Sequence, residues 1–206
     1  MSDIGNPDAL APGHYGVPGP TVLTLRPTTI AVAWNLQGNP ERGGFAAEAA
    51  AWLGVALPLA PNTTATTPHL SVLWLGPASW LALAGAAPGP SHPLADFAAT
   101  RSALNAAGGA VFDVSVSRVA WTLEGAPAAS VLASGCPLDL HRRAFPPGTC
   151  AQSVFGHVGA LYHRPREDAF TIFVARSFAA DVGATLAAAA AQFGFDLLPG
   201  APFGAA

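Results

Sequence analysis

The apolar residues of this chain alternate with polar ones in several short segments, as they do in strands with one buried face. Between residues 29 and 36 the positions Ile30, Val32, Trp34 and Leu36 fall on one side, which is the two-residue period of a half-buried strand. Residues 118–124 alternate in the same way. Further strands are predicted over 70–75, 80–84, 111–116, 152–155, 158–163 and 169–175, with turns at Gly156 and at 164–167.

Other segments repeat their apolar residues at helical spacing. Phe45, Ala49, Trp52 and Leu53 form one apolar stripe. Residues 94–107 and 127–134 are predicted as two further helices, the second of which ends at Gly135, a residue able to adopt the left-handed cap conformation. A last helix is expected to begin at a Ser177 cap. Its packing stripe consists of Phe178, Val182, Leu186, Ala189 and Phe193.

The order of these elements predicts an α+β fold, with a mainly antiparallel sheet and packed helices. Strands and helices interleave, but the long apolar runs of a buried parallel sheet are absent from the sequence. A single domain is expected over 29–195, followed by a C-terminal tail over 196–206. Residues 1–28 are expected to form an arm, because the first 21 residues contain four prolines and four glycines and have almost no periodic pattern. Such an arm would gain order by lying across a partner.

Composition narrows the possible functions. Of the 206 residues 51% are hydrophobic and 10% charged, against a charged share of about 25% in ordinary soluble domains, so we expect apolar surface to be left for a partner. There is no lysine, which rules out a P-loop lysine and a Schiff-base lysine. With a net charge of -3 and no basic stripe, nucleic acid is not expected as a partner. No apolar run approaches a membrane span, and no secretion signal is evident, so the expected location is the cytoplasm.

The segment Gly135–Gln152, GCPLDLHRRAFPPGTCAQ, is predicted to be a shaped loop. Pro137 blocks continuation of the preceding helix, and Pro146-Pro147-Gly148 forces a second bend. A loop fixed at both ends suits a docking surface. The residues expected to meet a partner are Asp139, His141, Arg142, Arg143 and Phe145, since arginine and aromatic side chains are frequent interface anchors.

Two chemical alternatives exist for the same loop. Cys136 and Cys150, with His141 between them, could be drawn as a metal site, although their spacing does not fit familiar zinc sites and a fourth ligand is not evident. Buried, free thiols are the favoured interpretation. Asp139 and His141 could also form an acid–base pair, against which a local cluster of hydrogen bonds and ion pairs is favoured. We therefore assign no catalytic, cofactor-binding or metal residue.

Several segments carry a family resemblance. Gly135-Cys-Pro-Leu-Asp-Leu-His141, together with residues 73–80 (LWLGPASW), 112–118 (FDVSVSR) and 173–178 (FVARSF), resembles the gamma subunit of heterotetrameric sarcosine oxidase. This resemblance implies an accessory subunit without a cofactor of its own. It implies alpha, beta and delta subunits as partners, with FAD, FMN, NAD and zinc held in those partners. The complex would oxidise sarcosine, or a related N-methyl amine, to glycine, a one-carbon unit and hydrogen peroxide.

Residues 111–178 also resemble the folate-binding fold of the glycine-cleavage aminomethyltransferase. The segments concerned are Phe112-Asp-Val-Ser, Glu124-Gly-Ala-Pro, Pro147-Gly148 and Ala151-Gln152. That family's acidic pair on the hairpin strand has no counterpart in residues 158–163, VGALYH. The resemblance makes a folate-binding protein of one-carbon transfer the alternative function. A third possibility is a scaffold unrelated to flavin chemistry.

Overall fold

The computed structural model describes residues 11–86 and 96–204. The strands are β1 (Gly13–Tyr15), β2 (Thr24–Thr29), β3 (Val32–Gly38), β4 (Thr64–Thr66), β5 (Ser71–Gly76), β6 (Ser79–Ala84), β7 (Gly109–Asp113), β8 (Arg118–Glu124), β9 (Thr149–Phe155), β10 (Val158–Arg166), β11 (Ala169–Ala175), β12 (Phe195–Leu197) and β13 (Ala201–Pro202). The helices are α1 (Phe45–Leu53), α2 (Phe97–Ala106), α3 (Ala128–Ala133) and α4 (Ala179–Ala190). None of the helices in these ranges is long and apolar enough to cross a membrane.

The chain divides into two compact units. The first consists of the chain up to Thr29 together with Ser117–Ala201, and the second of Ile30–Val116 together with the segment from Pro202 onward. The expected arm and tail both supply strands to these units, and the range 29–195 predicted as one domain is shared between the two units. Sequence periodicity could not show this division, since the first unit is assembled from segments more than 80 residues apart.

The first unit is built on one sheet with the strand order β1-β12-β2-β8-β11-β10-β9. The pairings between neighbours in this order are antiparallel except for that of β12 with β2, which is parallel. Alternate residues of the strands, such as Tyr162 and Ile172, join a core that includes Val131 of α3 and Leu186 of α4. The α+β class with mainly antiparallel sheet is confirmed.

The second unit has a five-stranded antiparallel sheet in the order β4-β5-β6-β3-β7. Its core receives the predicted stripe of α1, since Phe45, Ala49, Trp52 and Leu53 are all buried. The Phe45 ring lies against Gly38 and Gly109, which are register partners on β3 and β7. A Cβ atom would come within 2.7 Å of that ring at Gly38 and 2.1 Å at Gly109. Two glycines thus create the space that the ring of Phe45 fills.

The predicted N-terminal arm contains a central strand of the first sheet. Strand β2 pairs with β12 on one side and β8 on the other, and the side chains of Leu23 and Leu25 are buried. The expected C-terminal tail likewise contributes Asp196 and Leu197 to β12, while residues 1–10, 205 and 206 lie outside the described ranges. Both strands are short and find their partners far along the chain, so local sequence carried too little signal to reveal them.

The helix ends differ in part from the predictions. Ser177 lies in a 3-10 turn over 176–178, and α4 begins at Ala179 with Phe178 at the N-cap and no side-chain cap. Phe178 is 40% exposed, so it is not part of the packing stripe, whereas Val182 and Leu186 are buried as predicted. The helix predicted over 94–107 corresponds to α2, and the first two residues of the predicted range, 94 and 95, lie outside the described residues.

Candidate functional site

The candidate site is the loop between α3 and β9, residues 135–148, which is tied to the sheet at both ends. The Gly156 N–H donates to the carbonyl of Gly135 at 2.7 Å, and the Gly148 N–H donates to the carbonyl of Arg164 at 2.8 Å. Gly135 does not have a positive φ, so the predicted left-handed cap is wrong. Glycine is required there by packing, because a Cβ would lie 2.7 Å from the ring of Phe155.

Three side chains of the loop are buried in the core of the first unit: Cys136, Leu140 and Phe145. The Phe145 ring stacks on Phe170 of β11 with 6.2 Å between ring centroids, and its residue is only 4% exposed. The expectation that Phe145 presents its ring to a neighbour is therefore not met. Its aromatic partner lies 25 residues further along the chain, beyond the reach of the loop's own sequence pattern.

Arg164 on β10 holds the loop from inside, and the sequence had assigned this residue to a turn. Its guanidinium donates from Nη1 to the carbonyl of Phe145 at 2.8 Å and to that of Leu140 at 3.4 Å, and from Nε to the carbonyl of Glu167 at 3.1 Å. Its Cζ lies 4.8 Å from the centroid of the Phe170 ring, a cation–π distance. Only 5% of Arg164 is exposed.

The sequence contained a signal that the side chain of Arg164 is buried. Strand β10 sends Val158, Ala160 and Tyr162 into the helix-covered core, and residue 164 continues this two-residue period. Arginine at a core position implies that its five donors find acceptors inside the protein. Here those acceptors are backbone carbonyls of an irregular loop, which would otherwise lie buried without donors.

Asp139 and His141 form the turn at the tip of the loop. The carboxylate of Asp139 accepts from the His141 N–H at 2.9 Å, and the His141 carbonyl accepts from the Phe145 N–H at 2.8 Å. The Nδ1 atom of His141 accepts from the Arg143 N–H at 3.3 Å. Asp139 thus binds the backbone of His141 instead of its ring, which is the arrangement of a local turn and not of an oriented acid–base pair.

Arg142 and Arg143 lie on the outside of the loop. The Nε atom of Arg142 lies 2.9 Å from Oε1 of Glu167, in a pair whose side chains are 69% and 51% exposed. The side chain of Arg143 is also exposed. Of the five residues expected to meet a partner, Asp139, His141, Arg142 and Arg143 are therefore exposed and available for contact.

The two cysteines are buried, and neither forms a disulfide. Cys136 belongs to the helix-covered core, whereas Cys150 alternates on β9 with the core residue Ala151 and so lies on the other face of the sheet. Thiols on opposite faces cannot meet the geometry of a disulfide. Within residues 11–86 and 96–204, no group of three or more histidine, cysteine, aspartate or glutamate side chains is placed to hold a metal ion.

Apolar side chains are exposed in both units. They are Val17, Val22, Val154 and Phe178 in the first unit, and Leu59, Phe112 and Val116 in the second. Val116, at 78%, has the highest exposed fraction of these, and Leu59 follows at 61%. Several of them belong to segments that carry the family resemblance, namely residues 112–118 and 173–178.

Comparison with solved structures shows which fold the chain has. The chain is similar to the glycine cleavage system aminomethyltransferase T of Bartonella henselae, with a TM-score of 0.54 and 15% identity over 88% of this chain and 48% of that one. At this identity the likeness concerns the fold alone. It confirms the predicted resemblance to the aminomethyltransferase fold.

The particular family follows from closer matches. The family described as "Sarcosine oxidase, gamma subunit family" matches residues 37–192. Sarcosine oxidase subunit gamma of Corynebacterium sp. strain U-96 is 34% identical over 79% of this chain and 76% of its own length, and that of Arthrobacter sp. is 32% identical over 73% and 71%. A solved heterotetrameric sarcosine oxidase from Corynebacterium sp. U-96, in complex with pyrrole 2-carboxylate, contains a chain with a TM-score of 0.73 and 31% identity, over 86% of this chain and 88% of that one. The protein belongs to the sarcosine oxidase gamma subunit family.

Proposed function

We propose that this protein is the accessory gamma subunit of a heterotetrameric sarcosine oxidase-type flavoenzyme. The complex demethylates sarcosine, or a related N-methyl amine, by oxidation to glycine, a one-carbon unit and hydrogen peroxide. The observation that carries this proposal is the match to a chain of a solved heterotetrameric sarcosine oxidase, because it extends over 86% of this chain and 88% of the other. Alpha, beta and delta subunits are the proposed partners, and the cytoplasm is the proposed location.

The chemistry of the complex is assigned to those partners. We propose that FAD, FMN, NAD and zinc are bound outside this chain. The arrangement of the loop supports an accessory role, because the buried Arg164 is used to hold the loop backbone and Asp139 is used to form its turn. Polar groups committed to holding their own chain are not available to act on a substrate.

The exposed apolar side chains support a role as a subunit. Val116 and Leu59 are 78% and 61% exposed, in a chain with only 10% charged residues. Scattered apolar residues are normal on a protein surface, but a charge-poor chain has fewer charges with which to separate them. Burying them against neighbouring subunits removes apolar area from water and contributes to assembly.

The proposed function predicts that flavin accompanies this chain only through its partners. The tagged 206-residue chain expressed alone should be colourless and should show no sarcosine-dependent release of hydrogen peroxide. Co-expressed with the candidate alpha, beta and delta reading frames, it should copurify with them as a yellow flavoprotein. The measurements are size-exclusion chromatography with an absorbance spectrum and a peroxide assay.

Three different failures of this experiment can be told apart. A yellow, active complex that forms without the tagged chain, and never retains it, would refute the subunit proposal. A copurifying complex that oxidises another N-methyl amine but not sarcosine would retain the subunit role and overturn the substrate. Tight, stoichiometric flavin in the chain expressed alone would overturn the proposal that cofactors belong to the partners.

Arg142 and Arg143 provide a test of the loop as a docking surface. Replacing both with alanine is expected to weaken association with the partner subunits by about 1 to 4 kcal/mol, the range of interface anchors. The same change should alter the free energy of unfolding of the chain by less than about 1 kcal/mol, because exposed ion pairs such as that of Arg142 with Glu167 contribute little. Affinity is measured by titrating the tagged variant against the remaining subunits.

The matched control is the double change Arg42→Ala and Arg101→Ala, which also removes two exposed arginines, in the second unit. It should leave the affinity unchanged within a factor of about two, since dispersed surface charges add little to a specific contact. Wild-type affinity in the Arg142/Arg143 variant would show that the loop serves the structure of its own chain and does not bind a partner.

A further inference from the structure

The N-terminal strap, defined here as residues 13–17, is fastened to one edge of the first sheet. Its strand β1 pairs with β12 in the register His14 opposite Asp196 and Tyr15 opposite Phe195. The Tyr15 and Phe195 rings stack with 5.7 Å between centroids. The strap then turns toward the end of α4, where the Val17 N–H donates to the Ala191 carbonyl at 3.0 Å.

The imidazole of His14 lies between two acceptors. Its Nδ1 atom is 2.7 Å from Oδ1 of Asp196, and its Nε2 atom is 3.1 Å from the carbonyl oxygen of Val17. A carboxylate and a carbonyl can only accept, and a neutral imidazole has one N–H to donate. Both contacts can be hydrogen bonds only when the ring is protonated on both nitrogens. A bound proton is therefore part of this arrangement.

The backbone around His14 is shaped for the contact by two glycines with positive φ, Gly16 and Gly194. A Cβ at Gly16 would lie 2.2 Å from the Ala191 carbonyl oxygen. A Cβ at Gly194 would lie 2.4 Å from the Val17 carbonyl oxygen and 3.5 Å from the His14 ring. The glycines let the strap approach the C-terminal end of α4, where the helix dipole favours a positive charge.

We propose that His14 is a proton-dependent lock that holds the strap closed against β12 and the end of α4. Loss of the ring proton removes one of its two hydrogen bonds and its attraction to Asp196, so the strap opens more often. Opening uncovers the backbone edge of β12, which is the kind of surface to which another strand can add. The proton thus controls access to this edge of the sheet.

The charges around His14 favour this lock. Asp196 of β12 is the charged side chain bonded to the ring, and it also accepts from the Thr21 hydroxyl at 2.5 Å. On β2 the residue opposite Asp196 is the neutral Thr24, and beyond it Glu124 of β8 is paired with Arg166 at 2.8 Å. Gln192, after α4, is neutral, and Tyr15 is the titratable neighbour on β1.

Two pKa shifts set the sign of the pH dependence. The hydrogen bonds to Asp196 and to the Val17 carbonyl raise the pKa of His14, so its contribution is complete below its ordinary value of 6.5 and is lost as the pH rises through the raised pKa. The hydrogen bonds from Thr21 and His14 lower the pKa of Asp196, so its contribution is lost only as the pH falls through that lowered value. The strap is closed between the two.

Hydrogen–deuterium exchange of the full chain tests the lock. After correction for the intrinsic exchange rate, protection of residues 13–17 should fall by roughly two- to fivefold between pH 6 and pH 9, which is the effect of an ordinary interaction of a charged side chain at a helix end. In His14→Gln, protection should be as low at pH 6 as at pH 9. Asp196→Asn, which keeps the size of the side chain, should likewise remove the pH dependence.

His157→Gln is the matched control, because His157 is also near an aspartate, with Nε2 lying 3.6 Å from Oδ2 of Asp181, but is 79% exposed and outside the strap. It should keep the wild-type pH dependence of the strap. The NMR titration of the His14 ring, assigned by its absence from the His14→Gln spectrum, should give an apparent pKa above 6.5. Protection that does not vary with pH in the wild type, or that falls equally in His14→Gln, would overturn the proposal.

Discussion

Replacing Arg164 with methionine is expected to lower the free energy of unfolding by about 2 to 4 kcal/mol. Methionine has an unbranched, apolar side chain of similar length but lacks the donors that satisfy the carbonyls of Phe145 and Leu140. Those carbonyls lie in the buried part of the loop, where an acceptor without a donor is costly. The contact of the guanidinium with the Phe170 ring is lost as well. Urea unfolding of wild type and variant measures the difference.

One further variant separates the planar geometry of the guanidinium from its charge, and a second variant is the control. Arg164→Lys keeps the charge but lacks the planar guanidinium. Its free energy of unfolding is therefore expected to lie between those of wild type and Arg164→Met. Arg166→Met is the matched control on the same strand, because Arg166 is half exposed and bound to Glu124 at the surface. Arg166→Met should lower the free energy of unfolding by less than about 1 kcal/mol. An equal loss in the two methionine variants would contradict the role assigned to Arg164.

Release of the loop should also be visible to trypsin, which cleaves after arginine. Arg142 and Arg143 lie in the segment that Arg164 holds, and both are exposed. Under native conditions Arg164→Met should be cleaved there faster than wild type, because the loop opens locally more often. A variant that loses stability without faster cleavage at these residues would show that Arg164 supports the core but does not hold the loop.

Acidification is expected to destabilise the protein through His163. This side chain is 2% exposed, and burial lowers its pKa to about 4 from the ordinary 6.5. A depressed pKa means that the stability is complete above pH 6.5 and is lost as the pH falls toward 4, because the unfolded chain binds a proton that the folded chain does not. Between pH 7 and pH 5 the free energy of unfolding should fall by about 2 kcal/mol through His163.

The difference between wild type and His163→Gln isolates this contribution. Glutamine does not titrate, so the variant should lose about 2 kcal/mol less than wild type between pH 7 and pH 5 in urea unfolding. His157→Gln, at a side chain 79% exposed, should follow the wild-type pH dependence. Should His163→Gln fail to fold, the NMR titration of wild-type His163 decides, since a ring that becomes protonated above pH 6 in the folded state would refute the prediction.

Arg164 and His163 are neighbours on one strand but lie in different environments. Alternation along β10 places Arg164 on the face covered by α3 and α4, next to Phe170. It places His163 on the other face, opposite Cys150 of β9 and Thr171 of β11. The charged arginine is satisfied by carbonyls of an irregular loop, whereas burial keeps the histidine neutral. The fold thus accommodates both polar groups without pairing them with each other.

The sequence by itself determined the elements whose partners are local or whose pattern is strong. The stripe of Phe45, Ala49, Trp52 and Leu53 was predicted residue by residue, because helical spacing and apolarity agree there. The α+β class and the family followed from the same kind of local information, in the alternation of the strands and in the run Gly135–His141.

Only the tertiary structure decided what depends on contacts between distant segments. Strand β2 has a weak pattern of its own and is fixed by β8 and β12, which lie about 100 and 170 residues further along the chain. Phe145 turns inward because Phe170 and Arg164 offer it an aromatic face and a donor for its carbonyl. His14 becomes a candidate lock only because β12 brings Asp196 opposite it. Local propensity cannot encode such pairings, since their free energy arises when the segments meet.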